Sequence, residues 1–115
     1  MKLSVTEICC GIGGARKAWH DSGATISQSV DIDSEICDFH KKYWGDADCL
    51  DITECNLSEI ADADILSAGF PCQPFSTSGH RSGFTHKEGN VFMTLMGLID
   101  KKAYKCVFLE NVKGL

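Results

Sequence analysis

Proline is nearly missing from this chain, with two in 115 residues, so helices and strands run with few enforced breaks. Positive charge is also short: 11 Lys and Arg stand against 16 Asp and Glu, a formal net charge of −5. A self-sufficient duplex-binding module needs cations in excess to face phosphates, so that class is excluded. No apolar run approaches the roughly 20 residues of a membrane helix, and no charged-then-apolar signal segment opens the chain. The seven cysteines lack the paired C-x2–4-C spacing of structural zinc, and one C-x-x-H, Cys37 with His40, is too little for a metal site. Their odd number and the adjacent pair Cys9-Cys10 also speak against a secreted disulfide framework. A cytoplasmic protein without metal or membrane is expected, with Cys9, Cys10, Cys37, Cys49, Cys55 and Cys106 as small buried hydrophobes.

What is present suffices for one small domain, 43% hydrophobic and 23% charged, without repeats or linkers. Leu3 to Ile8 reads as a buried strand running into Cys10-Gly11-Ile12-Gly13-Gly14. A helical stretch follows to about His20 and stops near Gly23. Thr25 to Val30 is a second strand ending on Asp31-Ile32-Asp33. Ser34, or Asp33 before it, can cap a helix reaching Tyr43, with Ile36, Phe39 and Tyr43 at helical spacing. Asp48 to Ile52 is a weak third strand, Leu57 to Ile60 a helical turn and Asp64 to Ala68 a fourth strand. Val91 to Lys101 reads as a helix with Val91, Leu95, Leu98 and Ile99 on one face. Lys105 to Leu109 is a fifth strand, ending in Glu110-Asn111. Strands alternating with helices imply a parallel sheet with right-handed crossovers. The ligand crevice of such a sheet lies at the carboxyl ends of its strands, where most of the unusual residues fall.

Both prolines flank one cysteine, in GFPCQPFS from Gly69 to Ser76. Proline pins its own φ near about −65° and pushes the preceding residue toward extended geometry. Cys72 therefore sits on a stiff loop, which suits a nucleophile better than a core filler. A free thiol needs local help to ionise, and Glu110, at the end of a neighbouring strand, can hold a proton for a ring nitrogen. The pair suits covalent attack on an electron-poor ring. His80 and His86 stay open as partners of a hydrolase-type Cys–His pair. Gly11-x-Gly13-Gly14 permits a tight turn and close approach of a ligand, but it departs from G-x-G-x-x-G, so a pyrophosphate is not favoured. Asp31 stands near the ~20-residue spacing at which nucleotide-binding sheets place a ribose-binding acid. Asp51 can accept from an exocyclic amine; a turn aspartate is its plainer reading.

Together these blocks resemble the DNA (cytosine-5)-methyltransferase family. GFPCQPFS is followed by FLENVKGL at Phe108 to Leu115. EICCGIGG, Glu7 to Gly14, is similar to the family's cofactor-binding opening, and GNVF, Gly89 to Phe92, to its next block. Order and intervals agree over essentially the whole chain. The resemblance implies a Rossmann-like α/β fold, a parallel sheet with helices on both faces, dependent on S-adenosylmethionine. Residues 1–115 would be the amino-terminal part of the catalytic domain. It further implies a flipped-out cytosine as target, with Cys72 adding to C6, Glu110 engaging N3 and the exocyclic amine, and Asn111 supporting the loop. Cofactor contacts would come from Cys9, Gly11, Gly13, Gly14, Asp31, Ile32, Asp51, Ile52, Phe70 and Pro71. Gln73, Ser76, Ser78 and Arg81 would face DNA. Two residues depart from the pattern: Cys9 stands where an aromatic is usual, and Glu7 where an aspartate is.

The family's later arginine-bearing block, target-recognition domain and closing helix are absent, in keeping with the net charge of −5. The expected partners are therefore DNA and a second polypeptide or the missing carboxyl-terminal portion, in a bacterial or phage setting near the nucleoid. Two other readings stay open: a tRNA cytosine-5 methyltransferase, which shares the chemistry, and a non-catalytic cofactor-binding remnant. Gly69-Phe70 and Ser76 look more like the DNA enzymes, and a remnant has no chemical reason to keep both Cys72 and Glu110.

Overall fold

The computed structural model describes residues 2–70 and 87–110, with side chains from 91 in the second stretch. Pro71, Cys72, Gln73, Ser76, Ser78, Arg81 and Asn111, singled out above, lie outside the described residues. Five strands form one parallel sheet: β1 (Ser4–Ile8), β2 (Thr25–Asp31), β3 (Asp48–Cys49), β4 (Ile65–Gly69) and β5 (Cys106–Glu110). Three helices connect them: α1 (Gly14–Asp21), α2 (Ser34–Trp44) and α3 (Lys87–Lys101). A short 3-10 turn, Leu57–Glu59, precedes β4.

The spatial order is β3-β2-β1-β4-β5. The chain builds outward from β1 through β2 to β3, then returns across the sheet to lay β4 on the other side of β1. The reversal lies between β1 and β4, and a doubly wound sheet opens its crevice at that point, beyond the strands' carboxyl ends. Val5, Thr6, Glu7 and Ile8 of β1 are all buried, as are Ile65 to Ala68 of β4. Central parallel strands are covered on both faces, so they read as continuous buried runs rather than alternating ones.

The core gathers Ile8, Val30, Leu66 and Ala68 from the sheet against Leu95 and Leu98 of α3, with Ile52, Ile60 and Phe70 alongside. Val91 and Ile99 pack on its margin, so the expected face of α3 is the one buried. At the opposite end Asp64 joins three strand starts. Its Oδ2 accepts from Ser4 N–H and Oγ–H at 2.9 and 3.2 Å, and its carbonyl accepts from Lys105 N–H at 2.7 Å.

The choice between two caps is decided, and three local expectations need correction. Asp33, not Ser34, caps α2: its Oδ1 accepts from the N–H groups of Glu35 and Ile36 at 2.9 and 3.2 Å, and a carboxylate also complements the positive helix end. The buried side of α2 carries Cys37 and His40, while Phe39 and Tyr43 pack on each other in solvent, ring centroids 4.7 Å apart. β3 is two residues long, because Asp51 closes a turn by accepting from Thr53 N–H at 3.0 Å. Cys49 and Cys106 are exposed rather than buried.

Candidate cofactor and active site

The site starts where β1 stops. Cys9 takes a left-handed φ of 56°, uncommon for a non-glycine residue, and Gly11 and Gly13 follow at 58° and 107°. The chain thus turns sharply out of the sheet and enters α1 with Gly13 as its cap. Any side chain at Gly13 would collide with the Trp44 indole, whereas one at Gly11 or Gly14 would meet nothing. One side of the loop is pressed on α2 and the other is left open, a cradle that Cβ atoms would fill.

Asp31 ties this loop to the neighbouring turns. Its Oδ2 accepts from Gly11 N–H at 3.0 Å, its Oδ1 from Asp33 N–H at 3.0 Å, and its carbonyl from Leu50 N–H at 3.0 Å. Each carboxylate oxygen can accept about two hydrogen bonds, so acceptor capacity remains for ribose hydroxyls. Asp51 lies just beyond β3, its Oδ1 also accepting from Thr53 Oγ–H at 2.6 Å. Ile32 is exposed, while Ile52 is buried in the core.

On the other side of the reversal Gly69 and Glu110 stand opposite each other in register. Phe70 is buried against Phe92, ring centroids 5.5 Å apart, so it supports the floor of the site from within the core. Glu110, expected to hold a proton for a ring nitrogen, is exposed. A cavity of about 630 Å3 runs from the glycine loop along α1 to β5, lined by Cys9, Gly11, Gly14, Trp19, Gly69, Phe108 and Glu110 among others. That volume is within the usual range for ligand pockets. Trp19 Nε1–H donates to Ser67 Oγ at 3.0 Å and its ring meets Phe108 edge-on at 5.9 Å.

The cysteines around the loop are poor nucleophiles. Burial, then the Asp31 carboxylate, pushes the Cys9 thiol up to about 12. Burial likewise raises Cys10 and brings Cys37 to about 11. All three are neutral thiols near pH 7. Among the described residues no group of three or more His, Cys, Asp or Glu side chains is placed to hold a metal ion.

Reading by sequence missed what stands behind the loop. His40 Nδ1 lies 3.0 Å from the Gly11 carbonyl, and Arg16 stacks over Trp44 at 5.5 Å. Arg16 Nη1 donates to Asp46 Oδ1 at 2.7 Å and to Ser29 Oγ at 3.0 Å. The signal available was the i, i+4 spacing of His40 and Trp44, which places both on one helix face.

Comparison with known proteins agrees with this geometry. Residues 3–115 match the family described as C-5 cytosine-specific DNA methylase. The type II methyltransferase M.BsuFI of Bacillus subtilis is 38% identical over 115 residues, covering 100% of this chain and 28% of that protein. M.HhaI of Haemophilus parahaemolyticus is 38% identical over 112 residues, covering 97% of this chain and 34% of its own length. The chain thus spans about a third of the length of these relatives. Among solved structures, the S. pombe Dnmt2 methyltransferase superposes with a TM-score of 0.80 over 99% of this chain and 37% of its own, at 23% identity, a likeness of fold. S-adenosylmethionine is this family's methyl donor. By the match over nearly its whole length, the chain belongs to the C-5 cytosine-specific DNA methylase family.

Proposed function

We propose that this chain is the cofactor- and nucleophile-bearing part of an enzyme that methylates cytosine in DNA at C5. The observation that carries the reading is the convergence of Gly11, Asp31, Gly69 and Glu110 on the carboxyl ends of β1, β2, β4 and β5, in a chain that matches the methylase family throughout. When bound, S-adenosylmethionine supplies the methyl group. Gly11, Gly13 and Gly14 would let it approach the backbone, Asp31 would accept from its ribose, Asp51 from its adenine amine, and Ile32, Ile52, Cys9, Phe70 and Pro71 would shape its surroundings. Cysteine offers less surface than the usual aromatic at position 9, so affinity should be modest.

Cys72 would add as thiolate to C6 of a cytosine turned out of the duplex, and Glu110 would protonate or hold N3 as charge builds there. C5 then becomes nucleophilic, takes the methyl group and loses its proton as the thiolate leaves. Asn111 would support the loop, and Gln73, Ser76, Ser78 and Arg81 would meet DNA. The exposed position of Glu110 fits an unfinished pocket whose second wall the DNA and a further stretch of protein would supply, either in the same chain or as a second polypeptide in the bacterial cytoplasm. Two facts support that need. α1 buries none of its residues, and Phe108 and Leu109 are exposed on β5, the last strand of the described sheet.

The test is methyl incorporation into cytosine-containing duplex from labelled cofactor. The chain alone should give none. Joined to the carboxyl-terminal remainder of the Bacillus subtilis relative it should give measurable transfer, which Cys72→Ser abolishes because an alkoxide forms far less readily than a thiolate. Activity of Cys72→Ser within a few-fold of its parent would refute the nucleophile.

A further inference from the structure

The polar residues packed behind the glycine loop form a cluster that the methyl-transfer reading does not use. Glu7, on β1, and His40, on α2, are 1% and 0% exposed. Ser29 Oγ–H donates to Glu7 Oε2, and Arg16 Nη1 donates onward to Ser29 and to Asp46. His40 Nε2 faces Arg16 Nη1 at 3.5 Å and Glu7 Oε2 at 3.8 Å. Glu7 Oε1 is buried with no hydrogen-bond partner. Buried carboxyl oxygens are rarely left so, and a strand interior has no packing reason to hold them.

The other imidazole nitrogen, Nδ1, lies 3.0 Å from the Gly11 carbonyl oxygen, an acceptor only. That contact requires a proton on Nδ1 in either charge state. A neutral ring then offers its Nε2 lone pair to Arg16, and a charged ring turns an Nε2 proton toward Glu7. Gly11 is thereby held at both ends of its residue, its N–H by Asp31 and its C=O by His40, with φ at 58°. One helical turn on, Trp44 of the same α2 face blocks any side chain at Gly13.

We propose that His40 is a positioning residue for cofactor binding: its Nδ1–H fixes the Gly11 carbonyl and, through it, the left-handed loop that receives the cofactor. The Glu7–Ser29–Arg16–Asp46 cluster holds the ring in that orientation. Part of the proposal rests on the loop being the cofactor loop; the hydrogen bond itself does not.

The two are therefore measured separately on the whole chain, labelled with 15N. At pH 7.5 the imidazole nitrogens of wild-type His40 should show Nδ1 protonated. His40→Asn places an amide N–H close to where Nδ1 stood, while His40→Phe keeps the ring volume and removes the donor. The Gly11 and Gly13 amide resonances should stay in place in His40→Asn and move in His40→Phe. Affinity for S-adenosylhomocysteine, by calorimetry, should fall about tenfold in His40→Phe, as loss of one donor to a buried carbonyl predicts, and stay within about threefold of wild type in His40→Asn. A proton on Nε2 alone would overturn the proposal even if neither variant folds. So would unchanged loop resonances in His40→Phe, or His40→Asn behaving like His40→Phe. Wild-type chain that binds no S-adenosylhomocysteine would count against the cofactor reading, while the imidazole and loop resonances would still decide the role of His40.

Discussion

Glu7 is a carboxylate where a central strand ordinarily buries an aliphatic side chain, and its surroundings compensate it only in part. Burial pushes its carboxyl above the usual 4.5, against the opposing effects of the Ser29 hydroxyl, His40 and Arg16. The folded state thus keeps a proton that the unfolded chain has already released. Its contribution to stability is fully present below the ordinary value and is lost as pH rises through the raised one. Glu7→Gln should remove that loss, so its melting temperature should gain on wild type as pH is raised from 5 to 8. An equal difference at both pH values would mean that Glu7 is as ionised in the fold as out of it. Asp64 works in the other sense: the Ser4 N–H holds its carboxyl below 3.8, and that stabilisation disappears as pH falls. At this scale the sequence was legible where chemistry demands one residue type at one spot, as at Gly11, Gly13 and Asp31. It was not legible for Glu7 and His40, since their pairing joins residues 33 apart through the fold and leaves no periodicity behind.

The elements follow from local signals, and they stray where two signals compete. Asp33 and Ser34 are adjacent good caps, and which one serves depends on where β2 releases the chain. Asp33 wins because Asp31 Oδ1 accepts its N–H and so sets its extended φ of −84° and ψ of 117°. Asp33→Ala should cost about 1 kcal/mol in a urea titration at neutral pH, and Ser34→Ala less than about 0.5 kcal/mol. The reverse ranking would place the cap one residue later. On α2 the apolar triplet Ile36, Phe39 and Tyr43 pointed to the wrong face, because the buried side is carried by the small Cys37 and by His40, a polar side chain that no apolar pattern marks. α3 begins at Lys87, four residues before its apolar stripe starts at Val91. β3 was overread because Leu50 and Ile52 are buried by the core rather than by a strand.

Among the described residues the two faces of the sheet differ at the scale of the whole molecule. α3 covers β1, β4 and the core on one side, while on the other the cavity along α1 reaches the exposed ring of Phe108 and ends at an exposed Glu110. That the sheet is parallel, with its crevice at the strands' carboxyl ends, was legible from the alternation of strands and helices; the order β3-β2-β1-β4-β5 was not. The openness of the crevice was expected from the family blocks that the resemblance leaves unmatched and from an acidic net charge of −5 in a chain resembling enzymes that handle DNA. The chain spans about a third of the length of its relatives. The central claim is that Cys72 bonds to cytosine C6 when this chain is joined to the remainder of a relative, and a duplex carrying 5-fluorocytosine at the target tests it most directly. Fluorine replaces the C5 proton whose loss expels the thiolate, so the adduct persists. The chain joined to the remainder of its Bacillus subtilis relative, incubated with this duplex and cofactor and then digested, should yield a mass-shifted peptide modified at Cys72 and none from Cys72→Ser. An adduct on Cys9 or Cys10, or methylation of ordinary cytosine with no adduct at Cys72, would contradict it.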